Sequence, residues 1–150
     1  MPHYVFVCTG NICRSPMAEA ILRNRAAQDG RNDITVASLG ISGLDNQPAA
    51  PLAQQVCLEQ GIDISAHRSR PIINEVLQQA DTIFCMEPVH RDFIRTFFPW
   101  HRSKVVLLGA WPEKETRKSA IPDPIGAPLE AYQKVFDMIN GHIDRILDKL

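Results

Sequence analysis

The stretch that most constrains this chain lies at its start. Residues 3–8, HYVFVC, form a short β-rich apolar run that stops abruptly at Thr9-Gly10-Asn11. Ser15-Pro16 follows a few residues later and opens a helix, with Ser15 read as the N-cap and Pro16 as the first helical position. A buried strand that passes straight into a helix begins a strand–helix–strand unit, in which the next strand lies parallel to the first.

The rest of the chain continues the alternation. Met17, Ala20, Ile21 and Asn24 trace the inner face of the first helix only loosely, and Ile34 to Ala37 reads as a second strand. Pro48 to Gln60 reads as a helix ended by Gly61, with Leu52, Val56 and Cys57 on one face. Residues 72–79 suggest a short helix, Thr82 to Met86 a third strand, Glu87 to Phe97 a helix stopped near Pro99, and Val105 to Leu108 a fourth strand. After a polar loop at 111–128, Leu129 to Leu150 carries apolar residues at 132, 135, 136, 139, 143, 146, 147 and 150, the strongest helical period in the chain. The expected fold is therefore α/β: a three-layer, single-domain structure over 1–150, with a four-stranded parallel sheet flanked by helices on both faces. Such sheets bind ligands beyond the carboxyl ends of their strands, so attention falls on Cys8.

Composition narrows the function classes. Sixteen Lys+Arg against seventeen Asp+Glu leave a formal net charge of −1, which gives no reason to expect a nucleic-acid partner. No apolar run approaches the ~20 residues of a membrane span, and the first residues lack the pattern of a signal peptide. Four cysteines, Cys8, Cys13, Cys57 and Cys85, in a chain read as cytoplasmic suggest thiols rather than disulfides. No Cys-x2-Cys pair suggests a zinc site, and no metal or other cofactor is expected.

The loop Cys8-Thr9-Gly10-Asn11-Ile12-Cys13-Arg14-Ser15 is suited to hold an oxyanion. Its backbone N–H groups can curl above a helix N-terminus, and Gly10 and Asn11 tolerate the positive φ that curling requires. Arg14 adds a bidentate grip, and a thiol at Cys8 among these donors is favoured as thiolate. The plainer reading of the same spacing is a strand–helix turn with one buried structural cysteine.

VCTGNICRSPMAEA at 7–20 resembles the phosphate-binding signature of low-molecular-weight protein tyrosine phosphatases, and the likeness extends to Asp123-Pro124 before the last helix. The resemblance implies a phosphatase acting on phosphorylated protein substrates, with inorganic phosphate or vanadate as competing ligands. It implies Cys8 as nucleophile, Arg14 as phosphate clamp and Asp123 as general acid and base, with a cysteinyl-phosphate between the two steps. Thr9, Gly10, Asn11, Ile12, Cys13, Arg14 and Ser15 match the phosphate-binding loop. Asn11, Ser15, Ser38 and His67 match a network that braces it, though His67 also reads as a surface histidine in a basic turn. Cys13 matches a redox guard that traps oxidised Cys8 as a disulfide. His3, His90, His101 and His142 show no catalytic spacing and are expected to be solvated or packed.

Substrate choice rests on Ile12, Leu44 and Ile125. Asp123-Pro124 is followed by Ile125-Gly126-Ala127 instead of the tyrosines of many relatives, and Leu44 stands where some carry an aromatic. Arginine phosphatases of the same family share this Asp-Pro-apolar-Gly segment but carry threonine where this chain has Ile12, so phosphotyrosine leads and phosphoarginine follows. Arsenate reduction on this scaffold needs two further cysteines close together, whereas Cys57 and Cys85 are far apart in sequence. A non-catalytic oxyanion binder would need neither a thiol nor an acid.

Overall fold

The computed structural model describes residues 1–150. Its elements run β1 (His3–Cys8), α1 (Arg14–Gln28), β2 (Thr35–Gly40), α2 (Pro51–Glu59), α3 (Asn74–Gln79), β3 (Thr82–Cys85), α4 (Pro88–Phe97), β4 (Val105–Leu107) and α5 (Leu129–Ile146). Single 3₁₀ segments follow α4 at Pro99–Lys104 and α5 at Leu147–Lys149. The four strands are all parallel, in the order β2-β1-β3-β4. No helix is long and apolar enough to cross a membrane.

Because side chains alternate along a strand, the sheet builds two cores. Tyr4, Phe6 and Phe84 face one side, where α1, α2 and α5 cover them. Val5, Val7, Ile83, Cys85 and Leu107 face the other, under Leu77 of α3 and Ile94 of α4. The six α5 residues at 132, 135, 136, 139, 143 and 146 are all buried, as their period requires. In α1 the buried set is wider, taking in Ala18, Leu22 and Ala26. That helix packs against the sheet, α2 and α5 at once, which explains its weak one-sided pattern.

Three local expectations change. Helix α1 begins two residues early, at Arg14, with Cys13 as N-cap and no side-chain cap hydrogen bond. Ser15 is thus inside the first turn, and its hydroxyl turns into the preceding loop rather than capping the helix. Pro16 is tolerated there because a first-turn N–H has no intrahelical acceptor in any case. Strand β2 also runs further than Ala37, so that Ser38 sits within it, paired with Phe6. Helix α2 starts at Pro51 rather than Pro48 and is closed by Gly61 at φ +77.

The chain leaves β1 for β2 on one side and crosses to β3 on the other, so the order reverses at β1 and β3. Open parallel sheets leave a crevice at such a point, beyond the carboxyl ends of the strands. Here it lies between the loop 9–13 and the segment Met86-Glu87. A third segment closes over it: the N–H of buried Ile121 donates to Met86 O at 2.9 Å, pinning the long loop above the crevice. At the end of β2, a Cβ on Gly40 would fall 2.8 Å from Asn11 N and from Thr9 O. The loop after β1 therefore rests directly on a glycine backbone. Gly40→Ala is expected to cost about 1–3 kcal/mol in urea unfolding, the usual penalty of overpacking, and to weaken oxyanion binding by displacing the loop.

Candidate active site

A cavity of about 140 Å³ opens at this crevice, lined by Cys8, Thr9, Gly10, Ile12, Cys13 and Arg14, with Asp123 and Ile125 from the loop above. None of the backbone N–H groups from Thr9 to Cys13 donates to a protein acceptor. The N–H groups of Arg14 and Ser15, in the first turn of α1, have no intrahelical acceptor either. A run of unpaired donors at a helix N-terminus is a site for an anion.

Asn11 holds this run in shape. It is fully buried and adopts φ +57, the left-handed conformation that asparagine tolerates. Its Oδ1 accepts from Arg70 N at 2.9 Å, which leaves Nδ2 to donate to Ser15 Oγ at 2.7 Å and Ser38 Oγ at 2.9 Å. Nε2 of His67 lies 2.7 Å from Asn11 O, so this histidine packs against the loop. Gly10, expected to share the left-handed conformation, does not adopt positive φ. The curl is achieved at Asn11 alone, and a Cβ on Gly10 would meet Ile12 and Leu44 at ordinary contact distances of 3.5 and 3.7 Å. Leu44 thus lies over Gly10, beside the cavity rather than in its wall.

Behind the cavity runs a polar chain. Ser15 Oγ accepts from Asn11 and has one proton to donate, with Cys8 Sγ at 3.0 Å nearer than the alternative acceptor, Leu39 O at 3.5 Å. Ser38 Oγ, accepting from the same amide, donates to Glu19 Oε1 at 2.5 Å. All four cysteines are free and buried. Burial raises the Cys13 thiol to about 11, with the Tyr132 hydroxyl 3.7 Å away opposing the rise, and raises Cys57 to about 12. Cys85, fully enclosed, is pushed up further still by the same cause.

Arg14 is 1% exposed and only partly matched. Its Nη1 donates to Glu87 Oε2 at 2.6 Å and to Ile121 O at 2.8 Å. Nη2 makes longer contacts, 3.4 Å each, to Thr9 Oγ1 and Asp123 Oδ2, and buried Nε has no partner at all. One edge of the guanidinium is anchored, and the other keeps hydrogen-bonding capacity at the cavity. Asp123 Oδ1 accepts from the N–H of Ile125, which fixes the turn that brings both residues to the rim.

Sequence reasoning missed Glu87, His90, Ile121 and Gly40. Glu87 and His90 follow β3 at the same end of the sheet as Cys8, which was the available signal, but nothing in their spacing distinguishes them. His90 is fully buried. Its Nδ1 accepts from Glu87 N at 3.0 Å, and its Nε2 lies 2.9 Å from Thr9 Oγ1. Burial, then the positive charge of Arg14, lowers it to about 4, with Asp123 opposing, so the 3.9 Å approach to Glu87 Oε2 is not an ion pair at neutral pH.

That neutral, buried imidazole makes stability depend on acid. The unfolded chain takes up the proton as pH falls through about 6.5, while the folded chain refuses it until about 4. Stability from this group is full above pH 6.5 and lost toward pH 4, a loss of about 3 kcal/mol. The urea unfolding free energy of His90→Gln is expected to fall less steeply than wild type across that window; parallel slopes would refute the assignment.

Comparisons with known proteins agree on one family. The profile described as low molecular weight phosphotyrosine protein phosphatase matches residues 3–150. The chain is similar to the probable low molecular weight protein-tyrosine-phosphatase EpsP of Ralstonia nicotianae, 36% identical over 138 residues, covering 92% of this chain and 88% of that one. It is also similar to the protein-arginine-phosphatase of Geobacillus stearothermophilus, 35% identical over 151 residues, covering 100% and 97%. Among solved structures, the low molecular weight protein tyrosine phosphatase of T. tengcongensis superposes with a TM-score of 0.93 at 34% identity, covering all of both chains.

Proposed function

Because the chain belongs to the low molecular weight phosphotyrosine protein phosphatase family, we propose that it hydrolyses phosphotyrosine in proteins through a phosphorylated Cys8. The observation that carries this reading is the half-matched Arg14: a buried guanidinium with a free Nε, beside a run of unpaired N–H groups and a cysteine sulfur. A bound phosphoryl group supplies the acceptors these donors lack.

In the first step Cys8 Sγ, as thiolate, attacks phosphorus, and the bond from phosphorus to the substrate oxygen breaks. Arg14 and the loop amides hold the three equatorial oxygens as charge redistributes. The phosphoryl group takes over Arg14 Nη2, leaving Asp123 to protonate the departing oxygen. In the second step the Asp123 carboxylate accepts a proton from water, which attacks phosphorus and releases inorganic phosphate and the Cys8 thiolate. Ser15 Oγ, 3.0 Å away, stabilises that thiolate by hydrogen bonding. Asn11, Ser38 and His67 act only by bracing the loop. Cys13, its thiol held at about 11, does not compete as nucleophile; that it lines the same cavity as Cys8 supports the reading that it traps an oxidised Cys8 as a disulfide.

The walls favour an aromatic leaving group, since Ile12 and Ile125 both line the cavity. Phosphoarginine is the second reading, because a protein-arginine-phosphatase is nearly as similar to this chain as the tyrosine relatives are. Its guanidinium would leave polar N–H groups against those isoleucines, a cost without compensating hydrogen bonds.

Three measurements test these roles. Cys8→Ser is expected to abolish turnover of an aryl phosphate while vanadate binding remains measurable; retained turnover rejects the covalent route. Asp123→Asn is expected to lower kcat by about 10²–10⁴ with phenyl phosphate and far less with 4-nitrophenyl phosphate, whose leaving group needs little protonation. Wild type is expected to prefer phosphotyrosine over phosphoarginine peptides, and Ile12→Thr to narrow the gap; a wild-type preference for phosphoarginine establishes the second reading instead.

A further inference from the structure

The mechanism above leaves one buried polar side chain at the site without a task. His90 reaches the cavity wall only through Thr9, and its hydrogen bonds fix which way it acts. The N–H of Glu87 can only donate, so His90 Nδ1 is the acceptor and the ring proton of the neutral imidazole resides on Nε2. Nε2–H therefore donates to Thr9 Oγ1 at 2.9 Å. Arg14 Nη2 approaches the same oxygen at 3.4 Å, also as a donor. A threonine hydroxyl has two acceptor lone pairs and one proton. With both lone pairs facing donors, the proton is what the hydroxyl has left to offer, and Thr9 lines the cavity.

We propose that His90 is a positioning residue that fixes the Thr9 hydroxyl as a side-chain donor to a nonbridging oxygen of the bound phosphoryl group, in addition to the backbone amides. This rests on the phosphatase reading of the same cavity. His90 also ties together both sides of the crevice: the residue whose backbone N–H donates to it, Glu87, is the one whose carboxylate holds Arg14 Nη1. One imidazole thus sets the orientation of Thr9 and the position of the segment that anchors the guanidinium.

The test is a double-mutant cycle read by vanadate Kd and by kcat/KM for 4-nitrophenyl phosphate. Thr9→Val removes the proton but keeps the shape, and is expected to weaken both by about tenfold or more, the usual effect of losing a hydrogen bond to a charged group. Thr9→Ser is expected to recover most of that loss. His90→Phe should match Thr9→Val, and the double variant should be no worse than either single one. His90→Gln, whose amide can place an N–H near the position of Nε2, should recover most of the His90→Phe loss. Wild-type vanadate affinity in Thr9→Val, or losses that multiply in the double variant, would overturn the proposal. If His90→Phe fails to fold, Thr9→Val against Thr9→Ser decides alone. A wild-type protein that neither binds vanadate nor turns over the ester would sink the phosphatase reading itself, whereas an active wild type with an indifferent Thr9→Val sinks only this inference.

Discussion

Everything at this site depends on keeping a row of backbone donors from finding partners within the protein. A loop whose N–H groups bond to no other part of the protein lacks the backbone pairing that fixes helices and strands, so it does not hold that shape unaided. Asn11 supplies the restraint: one side chain makes three hydrogen bonds, with Ser15, Ser38 and Arg70, while its backbone takes the left-handed turn. The same amide that curves the loop also orients the Ser15 hydroxyl beside Cys8. Shape and electrostatics at the sulfur therefore have a common origin.

Arg14 shows the complementary logic. A fully matched buried ion pair would be satisfied and inert toward ligands, and an unmatched buried cation would be very costly. Glu87 and Ile121 O hold one nitrogen, while Nε and Nη2 keep unspent capacity toward the cavity. Glu87 is itself about one-third exposed, so the pair is not wholly removed from solvent. Two chain crossings of the sheet and the long loop before α5 are needed to bring those anchors to a residue fixed by the first turn of α1.

The sequence announces the parts of this arrangement that are local. Residues 3–16 contain strand, loop and helix start within one short span, and the buried stripe of α5 repeats without interruption. Helix α1 is harder to read because three neighbours bury it on several sides, which erases the periodic signal. Ser15 misleads for a related reason: a serine before proline has the pattern of a cap, but the loop amide of Asn11 captures its hydroxyl first. Glu87, His90 and Gly40 carry no local signature. A glutamate after a strand, a histidine in a polar helix and a glycine at a strand end are each ordinary until β1 and β3 lie side by side.

The pin at Ile121 makes the crevice depend on segments far apart in the chain. Its amide hydrogen-bonds to Met86 and its carbonyl to Arg14, so the crevice is complete only after the segment beyond β4 has returned over β1 and β3. Cys8 and Asp123 are separated by most of the polypeptide, and no fragment ending before the last loop contains both. The complete cavity is thereby a property of the whole folded sheet rather than of the short loop that carries Cys8.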